Sequence, residues 1–386
     1  NSNLGNLQAT VVNLESGEVL FDRSANTAGP TASVLKLFTA AAALEVLGPN
    51  YKVTTRVYAD PDDPTVIYLV GAGDPTLSRT APGKQTVYRD APKLSSLALA
   101  VNDWTAEIPI SRIVLDSTLF SGPSWHSSWE RKGIREGYMS EVTALQVDGD
   151  RNNPGANTSA RSNDPILRAG EAFQEALGDS AIDAVLEEGE LPDGAIEIAN
   201  VSSAPISRWI KHMLLVSDNT EAEYLARLVS LELGSEGSFK SLNQSFKTAL
   251  ADTGLDLSSM TIVDGSGLSD GNKVSPKLVA DLLKLVSEGY GKFKVIRDGM
   301  PVAGESGSLA GRYKGDLVDA AGKLAAKTGW IKANFTQAGL ISAKDGAQLA
   351  FVIYAQTGSV SKTSADQAID TLATNFYRCG DFLSNQ

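Results

Sequence analysis

Ser33-Val34-Leu35-Lys36 begins an alanine-rich apolar stretch that continues to Leu47 and is stopped by Gly48-Pro49. This pattern predicts a helix with defined ends, with Ser33 in its first turn. A serine and a lysine three positions apart on a helix lie on the same face, about one turn from each other. A serine hydroxyl is a poor nucleophile until a base takes its proton, and a lysine amine can be that base when burial or a nearby positive charge lowers its pKa. Ser33 and Lys36 are therefore a candidate nucleophile and base.

Strand patterns lie at both ends of the chain around this helix. Two short strands joined by a turn precede it, and three strands return near the C-terminus, in the order Leu7–Asn13, Val19–Arg23, Leu324–Trp330, Gln337–Ser342 and Gln348–Ala355. Helical patterns dominate between residue 204 and the returning strands, and another covers residues 363–377. We expect one sheet built from both ends of the chain, with helices around it.

The middle of the chain has a different predicted secondary structure, with short strands, separate helices and polar loops. A chain of 386 residues is too long for one ordinary domain, so two domains are expected. The predicted boundaries give a discontinuous domain of residues 1–55 and 203–386, and an inserted domain of residues 56–202. Arg151–Asp164 is rich in Asn, Gly, Ser and Pro, which predicts a surface loop.

Composition excludes several classes of function. The net charge of −12 argues against nucleic acid or an anionic membrane surface as a partner. No apolar run reaches membrane-spanning length. Two histidines and one cysteine leave little for a zinc site or a Ser-His-Asp triad. No metal ion or organic cofactor is expected, because the side chains described below can serve every chemical step.

Two further motifs follow Ser33 and Lys36 in the chain. Ser217-Asp218-Asn219 comes directly after an apolar helical pattern. These residue types favour helix caps and turns, but a second serine can also relay a proton and an amide can hold a substrate carbonyl. Lys327-Thr328-Gly329 ends an apolar strand, where the lysine and threonine offer donors to a carboxylate and the glycine lets a substrate lie close to the strand. Together the three motifs supply the groups that an acyl-transfer enzyme without a catalytic histidine requires.

At this point the chain resembles the penicillin-recognising serine enzymes. More narrowly, it resembles the D-alanyl-D-alanine carboxypeptidase/endopeptidase family of class C low-molecular-mass penicillin-binding proteins. The three motifs carry the likeness, and further stretches support it at residues 69–77, 144–147, 264–269 and 304–313. The resemblance implies an α/β (α+β) fold. A penicillin-binding transpeptidase-like/β-lactamase-like domain, made of an antiparallel sheet flanked by helices plus an all-helical lobe, would carry an inserted second α/β domain.

The resemblance also implies roles for individual residues. Ser33 would be acylated, with Lys36 as its general base, and Ser217 would pass a proton to the leaving D-alanine. Asn219 would bind the stem peptide, while Lys327 and Thr328 would hold its terminal carboxylate beside Gly329. The backbone N–H groups of Ser33 and Trp330 would form the oxyanion hole. The expected substrates are peptidoglycan stem peptides ending in D-Ala-D-Ala, and the expected inhibitors are β-lactams.

The chain departs from its relatives in two places. Many relatives nest a third small domain inside the second. Here Arg151–Asp164 passes straight from the segment at Ala144 to the helix at Ala169, so we expect that domain to be missing or vestigial. Trp330 stands where relatives often have a small residue. In relatives, aromatic groups of the inserted domain bind the side chain of the third stem residue, which makes Tyr138 and Trp129 candidates. Ordinary packing is the alternative for both.

Two other functions remain open. A β-lactamase is one, but no Glu-x-x-Leu-Asn element lies between Ser217 and Lys327 to activate a deacylating water, as it does in class A enzymes. A non-catalytic peptidoglycan or β-lactam sensor is the other, although every catalytic side chain is present. Because the substrate lies outside the cytoplasm, the resemblance implies an exported protein of the periplasm or cell-wall space. The chain begins without Met, which is expected if a leader has been removed.

Overall fold

The computed structural model describes residues 2–106 and 108–383. The chain forms two compact units. The first comprises residues 1–49, 210–235 and 240–386, and the second comprises residues 50–209 and 236–239. The short segment Glu236–Phe239 joins the second unit, which the sequence did not predict. Among the helices of the described residues, none is long and apolar enough to cross a membrane.

The first unit holds a sheet of five strands and most of the helices. The five strands of this sheet are β1 (Asn6–Asn13), β2 (Val19–Arg23), β10 (Leu324–Ile331), β11 (Asn334–Ser342) and β12 (Gln348–Gln356). Two further short strands, β3 (Gly29–Pro30) and β9 (Lys273–Val274), pair with each other. Its helices are α1 (Lys36–Val46), α6 (Asn219–Glu232), α7 (Leu242–Ala249), α8 (Pro276–Glu288), α9 (Lys294–Gly299) and α10 (Lys362–Cys379). Helix α5 (Ile206–Val216) contributes its first turn to the second unit and the rest to the first.

The main sheet has the order β10-β11-β12-β1-β2, with neighbouring strands antiparallel. The N-terminal strand β1 thus pairs with the C-terminal strand β12, which confirms the predicted sheet built from both ends of the chain. Strand β12 is buried on both faces, because α10 packs against one side of the sheet and α8 against the other. Strand β10, which carries Lys327, lies at an edge.

The helical part of the first unit packs α1 and α7 against α6. Helix α6 is buried from Thr220 to Ser230, although this stretch includes three charged side chains. The sequence predicted one helix over residues 239–253, and the structure divides it into a 3-10 turn at Phe239–Ser241, helix α7 and a second 3-10 turn at Ala251–Thr253. The predicted α/β fold class is confirmed.

The second unit has its own mixed sheet, in the order β7-β6-β5-β4-β8. Its elements are β4 (Thr54–Ala59), β5 (Val66–Val70), α2 (Leu94–Thr105), β6 (Arg112–Asp116), α3 (Lys132–Glu136), α4 (Pro165–Leu177), β7 (Val185–Glu188) and β8 (Ile196–Ser202). Strands β5, β6 and β7 are parallel to one another. Alternate residues of the sheet, such as Val57 and Leu69, form one core with α2 and α4.

The segment predicted as a surface loop, Arg151–Asp164, is anchored by buried arginines. Arg151 donates to the Tyr88 hydroxyl at 2.6 Å, and Arg161 donates to the carbonyl of Gly149. Both guanidinium-bearing residues are buried, so the prediction of an ordinary surface loop was wrong at these two positions. The arginines satisfy backbone carbonyls of a tight turn in which three consecutive residues, Asp148 to Asp150, have positive φ.

Candidate active site

Ser33 lies in a 3-10 turn, Ala32–Leu35, directly before α1. In a 3-10 turn the side chains at positions i and i+3 eclipse each other, so Ser33 and Lys36 face the same way. Lys36 Nζ is 3.0 Å from Ser33 Oγ. Ala32, the residue before the serine, has φ +43°, a strained backbone conformation that active sites often contain. The structure therefore brings the predicted nucleophile and base together. Ser33 lies in the 3-10 turn that precedes α1, and Lys36 is the first residue of α1.

The Lys36 amine is fully buried, and burial lowers its pKa to about 8. The carboxylates of Glu223, Asp264 and Asp218 oppose this shift because they favour the ammonium form. The balance leaves roughly a tenth of the amines neutral at pH 7, compared with well under a thousandth for an ordinary lysine. A neutral amine is what a general base requires.

The second motif forms the turn between α5 and α6. Ser217 has φ +63°, so its hydroxyl is presented from a left-handed turn. Asp218 caps α6, since its carboxylate accepts the Glu221 N–H at 3.0 Å. Asn219 is the first residue of α6, and its amide oxygen accepts a hydrogen bond from Lys36 Nζ at 2.7 Å. The Asp218 cap thus fixes the positions of Ser217 and Asn219 relative to α6.

A histidine braces the same turn. His212 Nδ1, near the end of α5, lies 2.7 Å from Glu221 Oε2 in the first turn of α6. The possible ligand atoms of His212, Asp218 and Glu221 lie within 4.8 Å of one another. Hydrogen bonds already explain why these side chains lie together: His212 bonds to Glu221, and Asp218 accepts the Glu221 N–H, which joins α5 to α6. The expectation that the protein uses no metal stays a prediction.

Lys327 is the third motif's cation and is fully buried on β10. Its amine donates to Ser217 Oγ at 2.9 Å and to the Thr328 carbonyl at 2.7 Å. Burial, and secondarily the charge of Lys36, lower the pKa of Lys327 well below its usual value. Burial therefore disfavours the Lys327 ammonium, and an anionic group bound beside it would favour that form.

Gly329 allows the edge strand to approach the nucleophile. A Cβ at this position would lie 2.7 Å from the Ser33 backbone nitrogen and 2.3 Å from Thr336 Oγ1, so no other residue fits without a shift. The Ala326 N–H points away from β11, to the Pro301 carbonyl. Because N–H directions alternate along a strand, the N–H of Trp330 points to the same open side. Trp330 is 54% exposed, and its indole N–H donates to the Lys332 carbonyl.

Three groups of this site were not predicted as functional residues. Ser308 Oγ is 2.8 Å from Thr328 Oγ1, which places a second hydroxyl beside the predicted carboxylate clamp. The Ser266 carbonyl accepts a hydrogen bond from Lys36 Nζ at 2.6 Å, and the Glu223 carboxylate accepts the Ser266 N–H. Ser308 and Ser266 lie in stretches that supported the resemblance, whereas Glu223 gave no signal in the sequence.

The two aromatic candidates belong to the second unit. Trp129 is buried, with ring centroids 5.3 Å from Trp125 and 5.1 Å from Phe239, which favours a packing role. Tyr138 is partly exposed, and its ring lies so close over Gly133 that a Cβ there would come within 2.7 Å of it. A role of either residue in substrate binding stays a prediction.

Comparisons with known proteins agree with one another. The model of the D-Ala-D-Ala carboxypeptidase 3 (S13) family matches residues 2–158 and 150–376. Carboxypeptidase DacB of Mycolicibacterium smegmatis is 33% identical over 385 residues, which cover 98% of this chain and 82% of that protein. A D-alanyl-D-alanine carboxypeptidase of an Actinomadura species is 29% identical over 418 residues, covering 89% of this chain and 76% of that protein. The crystal structure of penicillin binding protein 4 from Haemophilus influenzae superposes with a TM-score of 0.81 at 21% identity, covering 97% of this chain and 96% of the other, which is a similarity of fold.

Proposed function

Because the chain belongs to the D-Ala-D-Ala carboxypeptidase 3 (S13) family, we propose that it is a serine DD-peptidase acting on peptidoglycan stem peptides. One observation carries the proposal. The amine of Lys36 lies 3.0 Å from Ser33 Oγ, and the amine of Lys327 lies 2.9 Å from Ser217 Oγ, so two buried lysines each contact one serine. These are the groups that acyl transfer through a serine ester requires.

Acylation begins when the Ser33 oxygen attacks the carbonyl carbon of the penultimate D-alanine. A C–O bond forms, and the hydroxyl proton passes to the lone pair of Lys36 Nζ. The developing oxyanion is stabilised by the backbone N–H groups of Ser33 and Trp330, which the close approach at Gly329 supports. Preorganised donors of this kind are typically worth about 3 kcal/mol each in the transition state.

The C–N bond then breaks and D-alanine leaves. The proton taken from Ser33 is passed on through the Ser217 hydroxyl to the leaving nitrogen. Lys327 and Thr328 hold the terminal carboxylate, with Ser308 beside Thr328 as a further donor. Asn219 binds the stem peptide while its amide oxygen keeps the Lys36 amine in place. Water finally attacks the ester carbon and its proton passes to Lys36. The ester C–O bond then breaks, and Lys36 returns the proton to the Ser33 oxygen.

Related proteins support both possible leaving groups. The mycobacterial relative is named a carboxypeptidase, and a predatory peptidoglycan endopeptidase from Bdellovibrio bacteriovorus shares the fold with a TM-score of 0.56 at 18% identity. Carboxypeptidase and endopeptidase action both cleave beside a D-alanine and differ in what departs. A product analysis on purified muropeptides, comparing pentapeptide monomers with crosslinked dimers, separates them.

Benzylpenicillin tests the proposed nucleophile directly. Penicillin binding protein 4 of Haemophilus influenzae has been crystallised with a β-lactam, and we expect the present protein to form a persistent adduct of one drug molecule on Ser33. Intact mass spectrometry should show this adduct in the wild type and none in Ser33→Ala. Rapid turnover of the drug would indicate a β-lactamase instead.

A synthetic peptide ending in D-Ala-D-Ala provides the complementary test. Release of D-alanine by the wild type, and its loss in Lys36→Ala by roughly 10²- to 10⁴-fold, is expected for removal of a general base. A protein that binds the peptide but releases nothing would be a sensor. Because the proposed substrate lies in the cell wall, we place the protein outside the cytoplasm, which fractionation of the native cells would test.

A further inference from the structure

The amine of Lys36 is surrounded by three oxygens. Besides Ser33 Oγ at 3.0 Å, they are the Asn219 amide oxygen at 2.7 Å and the Ser266 carbonyl at 2.6 Å. A neutral amine has two N–H bonds and one lone pair. When the N–H bonds are donated to the amide and the carbonyl, the lone pair points to the Ser33 hydroxyl. The Ser266 carbonyl therefore helps to decide where the base is directed.

Ser266 belongs to a loop, residues 264–269, that packs directly behind the nucleophile. Gly267 has φ +85°, and a Cβ there would lie 2.0 Å from the Ala32 carbonyl oxygen. Within the loop, the Asp264 carboxylate accepts the N–H groups of Gly267 at 2.8 Å and Ser269 at 2.7 Å. The loop is thus internally braced, but these bonds do not hold it to the rest of the unit.

Two side chains make that connection: the Thr39 hydroxyl of α1 donates to the Gly265 carbonyl at 2.6 Å, and Glu223 binds the loop's amides. Glu223 is fully buried on α6, one helical turn beyond Asn219. Its carboxylate oxygens lie 3.0 Å from the Gly265 nitrogen, and Oε1 lies 2.7 Å from the Ser266 nitrogen. A Cβ at Gly265 would come within 2.7 Å of the Ala222 carbonyl, so the loop and the helix are in close contact.

We propose that Glu223 is a positioning residue for Lys36: by holding the amides of Gly265 and Ser266, its carboxylate fixes the Ser266 carbonyl that orients the base. One face of α6 then directs Lys36 in two ways, through Asn219 by direct contact and through Glu223 by way of the loop. This inference rests on the proposed function, since the direction of the Lys36 lone pair matters for acylation of Ser33.

The charge of Glu223 gives the proposal a specific signature. Glu223 faces Asp264 in the loop, Arg227 on its own helix and Lys36 on α1, and Lys36 in turn is influenced by Asp218 and Lys327. Burial, followed by the Asp264 carboxylate, raises the pKa of Glu223 to about 8. Glu223 is therefore largely protonated below about pH 8, and as it ionises near that value its charge stabilises the Lys36 ammonium. Because Lys36 also titrates near pH 8, removing this charge should lower the pKa of Lys36 and move the midpoint of the acylation profile to lower pH.

The experiment measures the second-order rate constant of Ser33 acylation by benzylpenicillin between about pH 6 and about pH 9.5. Glu223→Gln keeps the size of the side chain but removes the charge and one acceptor. We expect its plateau rate to fall about 10²-fold, as for a catalytic group displaced by about 1 Å, and its midpoint to move to lower pH. Glu223→Asp keeps the charge on a shorter side chain, so its rate should fall while its midpoint stays near that of the wild type.

Glu232→Gln is the matched control, because it makes the same change at the exposed last residue of α6. It should match the wild type in rate and midpoint. A Glu223→Gln protein with the wild-type rate and midpoint would overturn the proposal. If thermal unfolding shows that Glu223→Gln does not fold, a wild-type rate in Glu223→Asp overturns it and a slowed rate with an unmoved midpoint supports it. Failure of the wild type itself to acylate would instead refute the proposed function.

Discussion

Two buried lysines define the chemistry at the scale of single residues, and their surroundings differ. Lys36 is near three carboxylates that partly offset its burial, so its pKa falls only to about 8. For Lys327 the second influence after burial is the charge of Lys36, and both lower its pKa well below the usual value. Environments that separate the pKa values of neighbouring groups assign them different tasks. Lys36 is suited to exchange protons near neutral pH, whereas Lys327 is suited to gain its charge when a carboxylate binds.

This difference predicts how acylation depends on pH. The reactive form has a neutral Lys36, so the rate constant for benzylpenicillin should rise with pH and level off above about 8. Below that value the ammonium predominates and the rate should fall about tenfold per pH unit. Stopped-flow or quenched-flow measurements of the acylation rate constant over this pH range, with mass spectrometry to count adducts, would show the fall in rate at low pH. A rate independent of pH between about 6 and 9 would contradict the assignment of Lys36 as base.

Gly329 supports a second prediction for a single residue. Gly329→Ala places a Cβ 2.7 Å from the Ser33 nitrogen and should push the edge strand away from the oxyanion hole. We expect acylation to slow by roughly 10²- to 10³-fold, the effect of losing one oxyanion donor. Gly311→Ala is the control, because that glycine is exposed and has open space around its Cβ position. Equal acylation rates in Gly329→Ala and Gly311→Ala would show that β10 can shift without loss of catalysis.

At the scale of elements, the segment before β10 is tied to helix α10 by one arginine. Arg312 Nη2 donates to Asp370 Oδ1 at 2.7 Å, Nε donates to Oδ2 at 2.9 Å, and Asp366 lies 3.3 Å from Nη1. Arg312 also donates to Gln337 Oε1 on β11 at 3.1 Å. Ser308 precedes Arg312 in the same segment. The ion pair of Arg312 with Asp370 therefore anchors the segment that places the Ser308 hydroxyl beside Thr328.

Breaking this buried pair from one side should destabilise the protein more than removing both partners. Arg312→Met leaves the Asp370 carboxylate buried without its bidentate partner, and we expect a loss of about 3–5 kcal/mol in the free energy of unfolding. The double variant Arg312→Met/Asp370→Leu should recover most of that loss. Urea unfolding of the two variants and the wild type provides the measurement. A single variant within about 1 kcal/mol of the wild type would refute this account.

Elements with a strong apolar period were predictable from the sequence, and elements set by distant contacts were not. The five strands of the main sheet and helices such as α5 and α8 follow from periodicity and caps. The charges within α6 would ordinarily indicate a solvent-exposed face, yet Glu223 and Arg227 are buried because the 264–269 loop and neighbouring helices cover them. Likewise, the 3-10 turn at Ser33 is fixed by packing against Gly267 and Gly329, which no local pattern encodes.

At the scale of the whole molecule, the three motifs meet although they are separated by up to 294 positions, from Ser33 to Lys327. The sequence could predict this convergence because each motif ends or begins a predictable element of one sheet-and-helix unit. It could not predict that Glu236–Phe239 returns to the second unit, where Phe239 packs on Trp129. That contact arises only from the folded chain. It favours packing as the role of Trp129, whose part in substrate binding stays a prediction.

Tyr138 therefore becomes the sharper test of whether the second unit contributes to substrate choice, a role that comes from the resemblance alone. Its ring is partly exposed and packs on Gly133, so Tyr138→Ala removes little buried core. We expect KM to rise roughly tenfold for stem peptides with a long third side chain, and much less for peptides with alanine there. Tyr138→Phe, which keeps the ring, should behave as the wild type if the contact is apolar. An equal change in KM for both peptides in Tyr138→Ala would show that the residue acts on the fold and not on the third stem residue.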